Sequence, residues 1–419
     1  MISNFSLYLQ LIHLTIILLL FGACSHGPVT NKKHALIPLN HSKIFSDDLP
    51  FDSLKKAMKD TIEKLELTAD DSMIEYPVTF SMIEYKKILI GLNKCSKTKK
   101  QFLENVENFF DPFMTFGKDR FGEILLTSYY EPLLSGSKTQ NKRHSMPIYK
   151  APENLVEIKL DQFSEDFFGE IDTNRKVISA QLTEDKFGNK QIIPLPSRED
   201  IDFKSALKNK NLEIAFVDPI DAFFLHIQGS GRILFENGES FTVGYHAQNG
   251  MKYEPIGKFL VNEIPKEKMS LQTIEQVLRT KYHKKLIEIL PLNPSYIFFK
   301  KIDGRAKTTI GAEVTNRRTL AVDTDFFNLG LLGHLIYPEL EITESGALEK
   351  ENRYQHFVLN QDTGGAIKST GRADLFWGSG ENGKKMAGHM RHLAQLTYFL
   401  PKQKTLEDLR AKRNFSCSK

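Results

Sequence analysis

The feature that most constrains the fold of this chain is a change of hydrophobic pattern near residue 112. Before it, residues 53–66 repeat apolar side chains at helical spacing, Ser81 and Glu84 form a capping box that opens a second helix, and residues 99–106 suggest a third. After it come short runs rich in Phe, Tyr, Ile and Val, broken by Gly, Pro, Asn and Asp. The pattern predicts a mainly β protein with a few packing helices.

Short strands are predicted through most of this second part. Asn237-Gly238 between two apolar runs is a strong hairpin signal. Gly229-Ser230-Gly231-Arg232 has the composition of a phosphate-binding turn, but it precedes a strand and lacks the helix that such turns need. Residues 271–290 return to helical spacing, and residues 384–413 are helix-like. The predicted strands are residues 124–130, 147–149, 214–217, 223–228, 233–235, 241–245, 297–299, 320–323, 332–336, 357–359 and 375–377.

Length and charge exclude some functional classes. A chain of 419 residues is too long for one ordinary core and suggests two or three domains. It carries 56 Lys and Arg against 52 Asp and Glu, without the basic blocks that mark a nucleic-acid binder. We therefore expect no nucleic-acid partner, whereas an anionic polymer is compatible with the mildly positive charge.

The amino terminus has the composition of an export signal. An apolar stretch ends in Leu20-Phe21-Gly22-Ala23-Cys24, which resembles the lipobox of bacterial lipoproteins, in which the cysteine receives lipid. Two departures leave a plain signal peptide or an uncleaved anchor as alternatives: residues 1–12 contain no Lys or Arg, and Phe21 replaces the commoner Leu. We expect residues 1–24 to be the signal, residues 25–50 a tether and residues 403–419 a polar tail.

Cysteine and histidine usage predicts neither a disulfide framework nor a metal site. If Cys24 is lipidated, only Cys95 and Cys417 remain. The 12 His residues are scattered without ligand spacing. No metal and no cofactor is expected.

The residues that best fit a catalytic role lie in the stretch 354–380. Asp362 precedes a Gly-rich bend and Asp374 follows the next one, a spacing that suits a strand, a bend and a returning strand. Two carboxylates at one rim of a barrel, partly walled by Phe376 and Trp377, would include one with a raised pKa, as an acid catalyst at neutral pH needs. Alternatively, Asp362 caps its own turn, and Asp374 pairs with a neighbouring Arg or Lys, either Arg372 or Lys368.

Several ordered motifs carry a resemblance to a known family. They are Ser128-Tyr129-Tyr130-Glu131-Pro132, Pro147-Ile148-Tyr149, Leu195-Pro196-Ser197-Arg198, Ile227-Gln228-Gly229-Ser230-Gly231, Gly244-Tyr245-His246-Ala247-Gln248-Asn249-Gly250, Asn293-Pro294-Ser295-Tyr296-Ile297-Phe298-Phe299, Ala321-Val322-Asp323, and Gln361-Asp362-Thr363-Gly364-Gly365-Ala366-Ile367-Lys368 followed by Asp374. From about Leu126 to Pro401 the chain resembles the membrane-bound lytic transglycosylase A (MltA) family. The last block resembles the 3D domain, which is named for three aspartates that match Asp323, Asp362 and Asp374.

The resemblance implies a fold of two β domains with a groove between them. Residues 51–130 and 306–402 would form a discontinuous double-psi β-barrel, with the 3D domain at about 318–380. Residues 131–305 would form an inserted, smaller β-barrel domain.

The resemblance also implies cleavage of peptidoglycan between N-acetylmuramic acid and N-acetylglucosamine, which leaves a 1,6-anhydromuramoyl end. Asp374 matches the catalytic acid/base of the family, Asp362 would act through its charge, and Asp323 would either bond within the same rim or cap a strand end. We expect no water to be consumed. The expected partners are peptidoglycan strands and, through the amino-terminal anchor, a membrane, and protein partners in cell-wall synthesis or hydrolysis stay open. The expected location is the periplasmic face of the outer membrane, as a lipoprotein, with a periplasmic or inner-membrane-anchored protein as alternatives.

Aromatic faces and amide or hydroxyl groups that could bind the glycan complete the predicted site. These residues are Tyr129, Tyr130, Gln228, Gly229, Ser230, Tyr245, Gln248, Asn249, Thr363, Gly364, Gly365, Lys368 and Trp377. Two other functions stay open. One is a catalytically silent peptidoglycan-binding lipoprotein, and the other is an ordinary glycan hydrolase that uses two carboxylates.

Overall fold

The computed structural model describes residues 29–39, 44–68, 73–117, 122–160, 177–343, 346–413 and 417. Its helices are α1 (Phe51–Thr68), α2 (Met82–Cys95), α3 (Lys99–Phe109), α4 (Arg198–Asp202), α5 (Pro219–Gln228), α6 (Leu271–Thr280), α7 (Leu286–Ile289), α8 (Gly380–Ala387) and α9 (Gln403–Arg410). Its strands are β1 (Leu36–Pro38), β2 (Met73–Ile74), β3 (Phe80–Ser81), β4 (Phe110–Thr115), β5 (Glu123–Glu131), β6 (Leu133–Ser137), β7 (Met146–Tyr149), β8 (Leu155–Lys159), β9 (Val177–Glu184), β10 (Lys190–Ile193), β11 (Glu213–Val217), β12 (Ser230–Phe235), β13 (Ser240–Gln248), β14 (Ile297–Ile302), β15 (Thr319–Ala321), β16 (Leu332–Thr343), β17 (Gly346–Asp362), β18 (Arg372–Ser379) and β19 (Arg391–Pro401). The mainly β fold class is confirmed.

The largest sheet closes into a barrel. Its strands run in the order β19-β16-β17-β15-β18-β5, and β5 also pairs with β19, which closes the ring. The pairs β15–β17 and β18–β5 are parallel, whereas the other pairs in the ring are antiparallel. Closure leaves no free edge among these strands, so each strand is held in register by a neighbour on both sides.

The predicted helices α1, α2 and α3 cover one side of the barrel. The capping box predicted at Ser81 and Glu84 is present at the start of α2. Tyr85 in this helix donates a hydrogen bond to the Phe399 carbonyl (2.9 Å) and accepts one from the Leu332 N–H (2.9 Å). The helix is therefore fixed to two barrel strands, and its apolar face continues the barrel core.

The chain between β5 and β15 builds a second body of sheet. Strands β14-β13-β12-β6-β11-β7 form one sheet, and β10-β9-β8 form another. The hairpin predicted at Asn237-Gly238 joins β12 to β13, and Gly238 has a φ of +85°, which glycine adopts without strain. This body has its own cluster of buried apolar residues.

The prediction of a strand at residues 223–228 is wrong, because these residues belong to α5. The Asp218 carboxylate caps this helix by accepting from the Ile220 and Asp221 N–H groups (3.0 and 3.1 Å), and Pro219 occupies its first turn. Gly229, at φ +76°, ends it. The helix is buried on most sides, so its sequence lacks the polar stripe by which a surface helix is recognised.

The helix-like interpretation of residues 384–413 is also wrong over its middle part. Helix α8 ends at Ala387, and the chain then forms β19, which pairs with β16, β4 and β5. Most residues of β19 are buried, so the alternation that marks a half-exposed strand is missing.

Within the described residues, the segments predicted as the tether and the polar tail contain ordered structure. In the expected tether, β1 pairs with β4, and the Asp47 side chain is buried against the barrel. In the expected polar tail, α9 buries Leu406, and a disulfide joins Cys95 to Cys417, so the prediction that no disulfide holds the fold is wrong. Cys24 lies outside the described residues. No helix in the described ranges is both long and apolar enough to span a membrane.

Candidate functional site

The two candidate acids lie on either side of one short strand at the rim of the barrel. Ala321 in β15 is paired both with Asp362, at the end of β17, and with Asp374 in β18. Neighbouring strands are about 4.8 Å apart, so two such spacings place the two Cα atoms roughly 10 Å apart. The structure therefore brings both aspartates together, with β15 between their strands instead of a direct return.

The Asp374 carboxyl has few hydrogen-bond donors. The Thr127 hydroxyl donates to Asp374 Oδ1 from the neighbouring strand β5. Arg372 Nε lies 3.8 Å from the same oxygen, outside hydrogen-bond distance, and the Asp374 side chain is 18% exposed. The carboxyl group is thus reachable but largely desolvated. The pairing with Arg372 that was considered from the sequence exists only as this longer contact.

The Asp362 carboxyl, by contrast, is saturated with donors. The Tyr129 hydroxyl donates to Oδ2 (2.8 Å), and Oδ1 accepts from the Thr309 N–H (3.0 Å), the Thr309 hydroxyl (2.7 Å) and the Thr363 N–H (3.0 Å). Hydrogen bonds of this kind stabilise the ionised form. These hydrogen bonds therefore favour the ionised form of Asp362, and the bond from the Thr363 N–H corresponds in part to the turn-capping alternative.

These environments act differently on the pKa values of the two acids. Burial raises the pKa of Asp374 to about 6, with Arg372 lowering it and the charge of Asp362 raising it. Burial also raises the pKa of Asp362, but the hydrogen bonds from Thr309 and Tyr129 oppose that shift. The two carboxyl groups thus differ in their surroundings, because several hydrogen bonds oppose the upward pKa shift of Asp362 whereas Asp374 has few donors. Acid catalysts commonly occur in such pairs of acids with unlike surroundings.

Asp323, the third aspartate, has a different setting. Its side chain is almost fully buried and accepts hydrogen bonds from the Ser369 N–H (2.7 Å) and the Asp325 N–H (3.2 Å). Lys368 Nζ lies 3.9 Å from its Oδ1. Asp323 thus ties the turn after β15 to the loop between Asp362 and Asp374. These bonds realise both alternatives considered from the sequence, since Asp323 bonds within the rim and caps a strand end.

Two family profiles match the chain: the MltA specific insert domain over residues 125–300 and the 3D domain over residues 318–400. The chain belongs to the MltA family. The 3D domain extends past the predicted end at about residue 380, because β19 completes the barrel.

Named relatives and solved structures of the MltA family resemble the chain over most of its length. Membrane-bound lytic murein transglycosylase A of Escherichia coli strain K12 is 26% identical over 290 residues, 68% of each chain. The homologue from Buchnera aphidicola is 25% identical over 287 residues, 67% of each chain. The membrane-bound lytic murein transglycosylase from Agrobacterium tumefaciens has a TM-score of 0.71 and 26% identity, covering 90% of this chain and 99% of that one. E. coli MltA with bound chitohexaose has a TM-score of 0.63 at 21% identity, with 90% and 96% covered, and shares the fold.

Some predicted substrate-binding residues lie where α5 and β12 meet the barrel strand β5. Tyr129 reaches Asp362, but the adjacent Tyr130 is buried. The Gln228 amide oxygen accepts a hydrogen bond from the Tyr130 N–H (3.0 Å), so this side chain fixes α5 to β5. Gly229 ends α5 and Ser230 begins β12. These residues shape the junction of the two domains.

The other predicted insert residues divide between exposed and structural positions. Tyr245 is 47% exposed on β13, and Gln248 is exposed at the end of that strand. Asn249 is buried, and its amide donates to the Pro196 and Pro294 carbonyls (3.1 and 3.0 Å). Tyr245 and Gln248 therefore remain available to a ligand, whereas Asn249 holds loops together.

Trp377 does not pack beside the two acids as predicted. Its ring packs on the large barrel core, with its centroid 6.4 Å from that of Tyr337. Phe376 instead faces the Asp362 side, with its ring 5.3 Å from that of Tyr129. Adjacent strand residues point to opposite faces, which separates Phe376 from Trp377. In the loop after β17, Thr363 donates to Asp362, while Gly364 and Gly365 form the bend.

Sequence reasoning missed three residues beside the acids: Thr127, Thr309 and Tyr253. Burial raises the pKa of Tyr253, and the charges of Arg372 and Asp374 both act on its hydroxyl. This tyrosine of the insert is therefore near enough to Asp374 and Arg372 to interact with them electrostatically. The loop of Tyr253 has no strand or helix pattern, and Thr309 lies in a segment without distinctive composition. Thr127 lies within the predicted strand 124–130, but a single threonine in a strand is not a signal of a site. Within the described residues there is no group of three or more His, Cys, Asp or Glu that could hold a metal.

Proposed function

We propose that this chain is a peptidoglycan lytic transglycosylase that cleaves the β-1,4 bond between N-acetylmuramic acid and N-acetylglucosamine. The observation that carries the proposal is the pairing, at one barrel rim, of a largely desolvated Asp374 with a raised pKa and an Asp362 that accepts four hydrogen bonds. Family membership and the names of the relatives, which are lytic murein transglycosylases, support it.

Asp374 acts first as a general acid. Its proton passes to the glycosidic oxygen as the bond from that oxygen to C1 of the muramoyl residue breaks. The C6 hydroxyl of the same sugar attacks C1, and the now ionised Asp374 accepts the proton of that hydroxyl. Because the nucleophile belongs to the substrate, little entropy is lost in capturing it, and no water is consumed.

Asp362 supports both halves of the reaction through its charge. The negative charge keeps the proton on Asp374 at the start and favours the positive charge that develops at C1. Tyr129 and Thr309 hold Asp362 ionised and oriented. The exposed Tyr245 and Gln248, together with Lys368 in the loop between the acids, remain proposed glycan contacts.

An ordinary hydrolase would use these acids differently. It would need a second carboxylate with a free basic oxygen to activate water or attack C1. Asp362 accepts four hydrogen bonds on its two oxygens, so it offers little free basicity. These four hydrogen bonds to Asp362 therefore favour the transglycosylase reaction over hydrolysis. A silent binding protein is disfavoured because Asp374 retains the surroundings of a working acid.

Product analysis tests this function directly. We expect digestion of purified peptidoglycan to release muropeptides with anhydro ends, which are lighter than reducing ends by one water and carry no label from ¹⁸O-water. Reducing ends that incorporate the label would identify a hydrolase. Binding without any release of muropeptides would identify a silent glycan-binding protein.

We also propose that Cys24 carries lipid and tethers the enzyme to the periplasmic face of the outer membrane. The apolar stretch before Cys24 and the lipobox-like Leu20-Phe21-Gly22-Ala23 support this, as do relatives named as membrane-bound. Cys24→Ala should yield soluble or unprocessed protein, measured by membrane fractionation and by metabolic labelling with a fatty acid. Absence of label on the wild-type protein, together with unchanged fractionation of the variant, would contradict the proposal.

A further inference from the structure

Arg372 occupies a position that the proposed mechanism has not yet used. It lies two residues before Asp374 on β18, so both side chains project from the same face of the strand. Its Nη1 donates to the Ala366 carbonyl (2.7 Å), and its Nη2 donates to the Thr127 hydroxyl (3.5 Å). Its Nε is buried and makes no hydrogen bond within the described part of the chain, 3.8 Å from Asp374 Oδ1.

An unused, buried N–H beside the proposed acid is unusual, because a buried donor normally has a partner. The charge of a guanidinium in this position would be harmful if it bonded directly to Asp374 at the start. A close ion pair would hold the carboxyl ionised and remove the proton that the first step needs. At 3.8 Å, with its other nitrogens bonded to neutral acceptors, Arg372 lowers the pKa of Asp374 only in part, and burial still raises that pKa to about 6.

The second half of the reaction has the opposite need. Once its proton has gone to the glycosidic oxygen, Asp374 is a buried anion next to Asp362, which also carries a negative charge. This ionised carboxylate must be stabilised until the C6 hydroxyl returns a proton to it. A movement of roughly 1 Å would bring Arg372 Nε within hydrogen-bond distance of Asp374 Oδ1.

We propose that Arg372 is a positioning residue that donates a hydrogen bond from Nε to Asp374 only when that carboxyl is ionised. It thus stabilises the ionised form that acts as the base, and it does not remove the proton that Asp374 needs as the acid. The inference rests on the proposed function and deepens it. The proton balance is unchanged: one proton leaves Asp374 for the leaving oxygen, and one returns from the C6 hydroxyl.

The charged and titratable groups that face Asp374 come from four elements. Arg372 lies on the same strand, Asp362 ends β17, Tyr129 lies on β5, and Tyr253 lies in the insert domain after β13. Burial raises the pKa of both tyrosines above the ordinary value, so both stay neutral at working pH. Arg372 is the cation among these groups, and Lys368 instead lies near Asp323.

The test compares Arg372→Gln and Arg372→Lys with the wild type, using kcat and KM on purified glycan strands from pH 4 to 9. Removing the cation raises the pKa of Asp374, so the limb of the profile that falls with rising pH should move to higher pH by about one unit. We expect kcat to fall about 10- to 100-fold in Arg372→Gln with KM changed less than threefold, and Arg372→Lys to restore part of kcat. Arg353→Gln, at an exposed position of β17, is the matched control and should leave both unchanged.

A second readout separates this inference from the proposed function. The ionisation of Asp374 can be followed by NMR of ¹³C-carboxyl aspartate, with the signal assigned by its loss in Asp374→Asn. A higher pKa in Arg372→Gln supports the inference even if the wild-type products turn out to be reducing ends. An unchanged pKa, or a fall in kcat with an unshifted pH profile, would overturn it, since a purely structural role predicts that result.

Discussion

Asp374→Asn is expected to stop the release of anhydromuropeptides while leaving binding to insoluble peptidoglycan intact. The amide has nearly the same shape and can still accept a hydrogen bond from Thr127, but it can neither deliver a proton nor take one. Loss of general acid/base action typically costs about 10²- to 10⁴-fold in rate, and a group that serves as both acid and base should reach the upper end. Release of muropeptides and pull-down on peptidoglycan measure the two effects.

Two companion variants make the assignment specific. Asp362→Asn should retain some activity, because this residue does not supply the proton. Loss of its negative charge lowers the pKa of Asp374, so the limb of the pH profile that falls with rising pH should move to lower pH. Asp52→Asn, at a side chain that is 91% exposed in the first turn of α1, is the matched control. If Asp374→Asn cleaved at near wild-type rate, or if Asp362→Asn alone were inactive, the proton would belong to the other aspartate.

The stability of Asp374→Asn should change in the opposite direction from its activity. The folded-state pKa of about 6 lies above the ordinary 3.8, so the stability that protonated Asp374 contributes is fully present below the ordinary pKa and is lost as the pH rises through about 6. This difference corresponds to at most about 3 kcal/mol, and the attraction to Arg372 is already included in it. The variant should unfold at a higher temperature than the wild type at pH 8, and this gain should vanish below pH 4. A folding defect would lower the transition at both pH values, which distinguishes it from loss of chemistry.

The parts of the fold that the sequence predicted correctly are those with local signals. Asn237-Gly238 marks its hairpin because a tight turn needs residues that tolerate positive φ, and Ser81 with Glu84 marks the start of α2 because a helix leaves its first N–H groups unpaired. The strands around Asp362 and Asp374 were recognisable from short apolar runs. Local chemistry thus located the candidate acids before the fold was known.

The parts that were predicted wrongly depend on contacts across the chain. Strand β19 and helix α5 are buried on most sides, so neither shows the alternation or stripe by which an exposed face is recognised. The disulfide joins Cys95 to Cys417, 322 residues apart, and no local spacing reveals it. Tyr253 approaches the acids only because the insert domain folds against the barrel. Sequence patterns alone do not determine such long-range juxtapositions.

A buried ion pair between Arg318 and Asp47 connects distant parts of the chain in the described barrel. Arg318 Nη1 lies 2.6 Å from Asp47 Oδ2, Nη2 lies 2.9 Å from Oδ1, and the two side chains are 0% and 1% exposed. The guanidinium also donates to the Phe357 and Pro50 carbonyls (2.8 and 3.1 Å) and to the Ser53 hydroxyl (2.9 Å). Arg318 immediately precedes β15, the strand between the two acids, so this pair joins the amino-terminal segment to the strand that spaces the site.

Asp47→Asn and Arg318→Met should each lower the free energy of unfolding by about 3–5 kcal/mol, because each leaves an uncompensated charge in the barrel interior. The double variant Asp47→Leu/Arg318→Met should lose less than the sum of the single changes, since it buries no charge, although the Leu49 and Phe357 N–H groups lose their acceptor. Glu63→Gln, which removes the partner of Lys59 in a pair that is 71% and 56% exposed, is the control and should change stability by less than about 1 kcal/mol. Urea unfolding followed by tryptophan fluorescence measures all four proteins, because Trp377 packs on the same barrel core. Single variants as stable as Glu63→Gln would mean that the pair is solvated in solution and that the amino-terminal segment does not hold β15 in place.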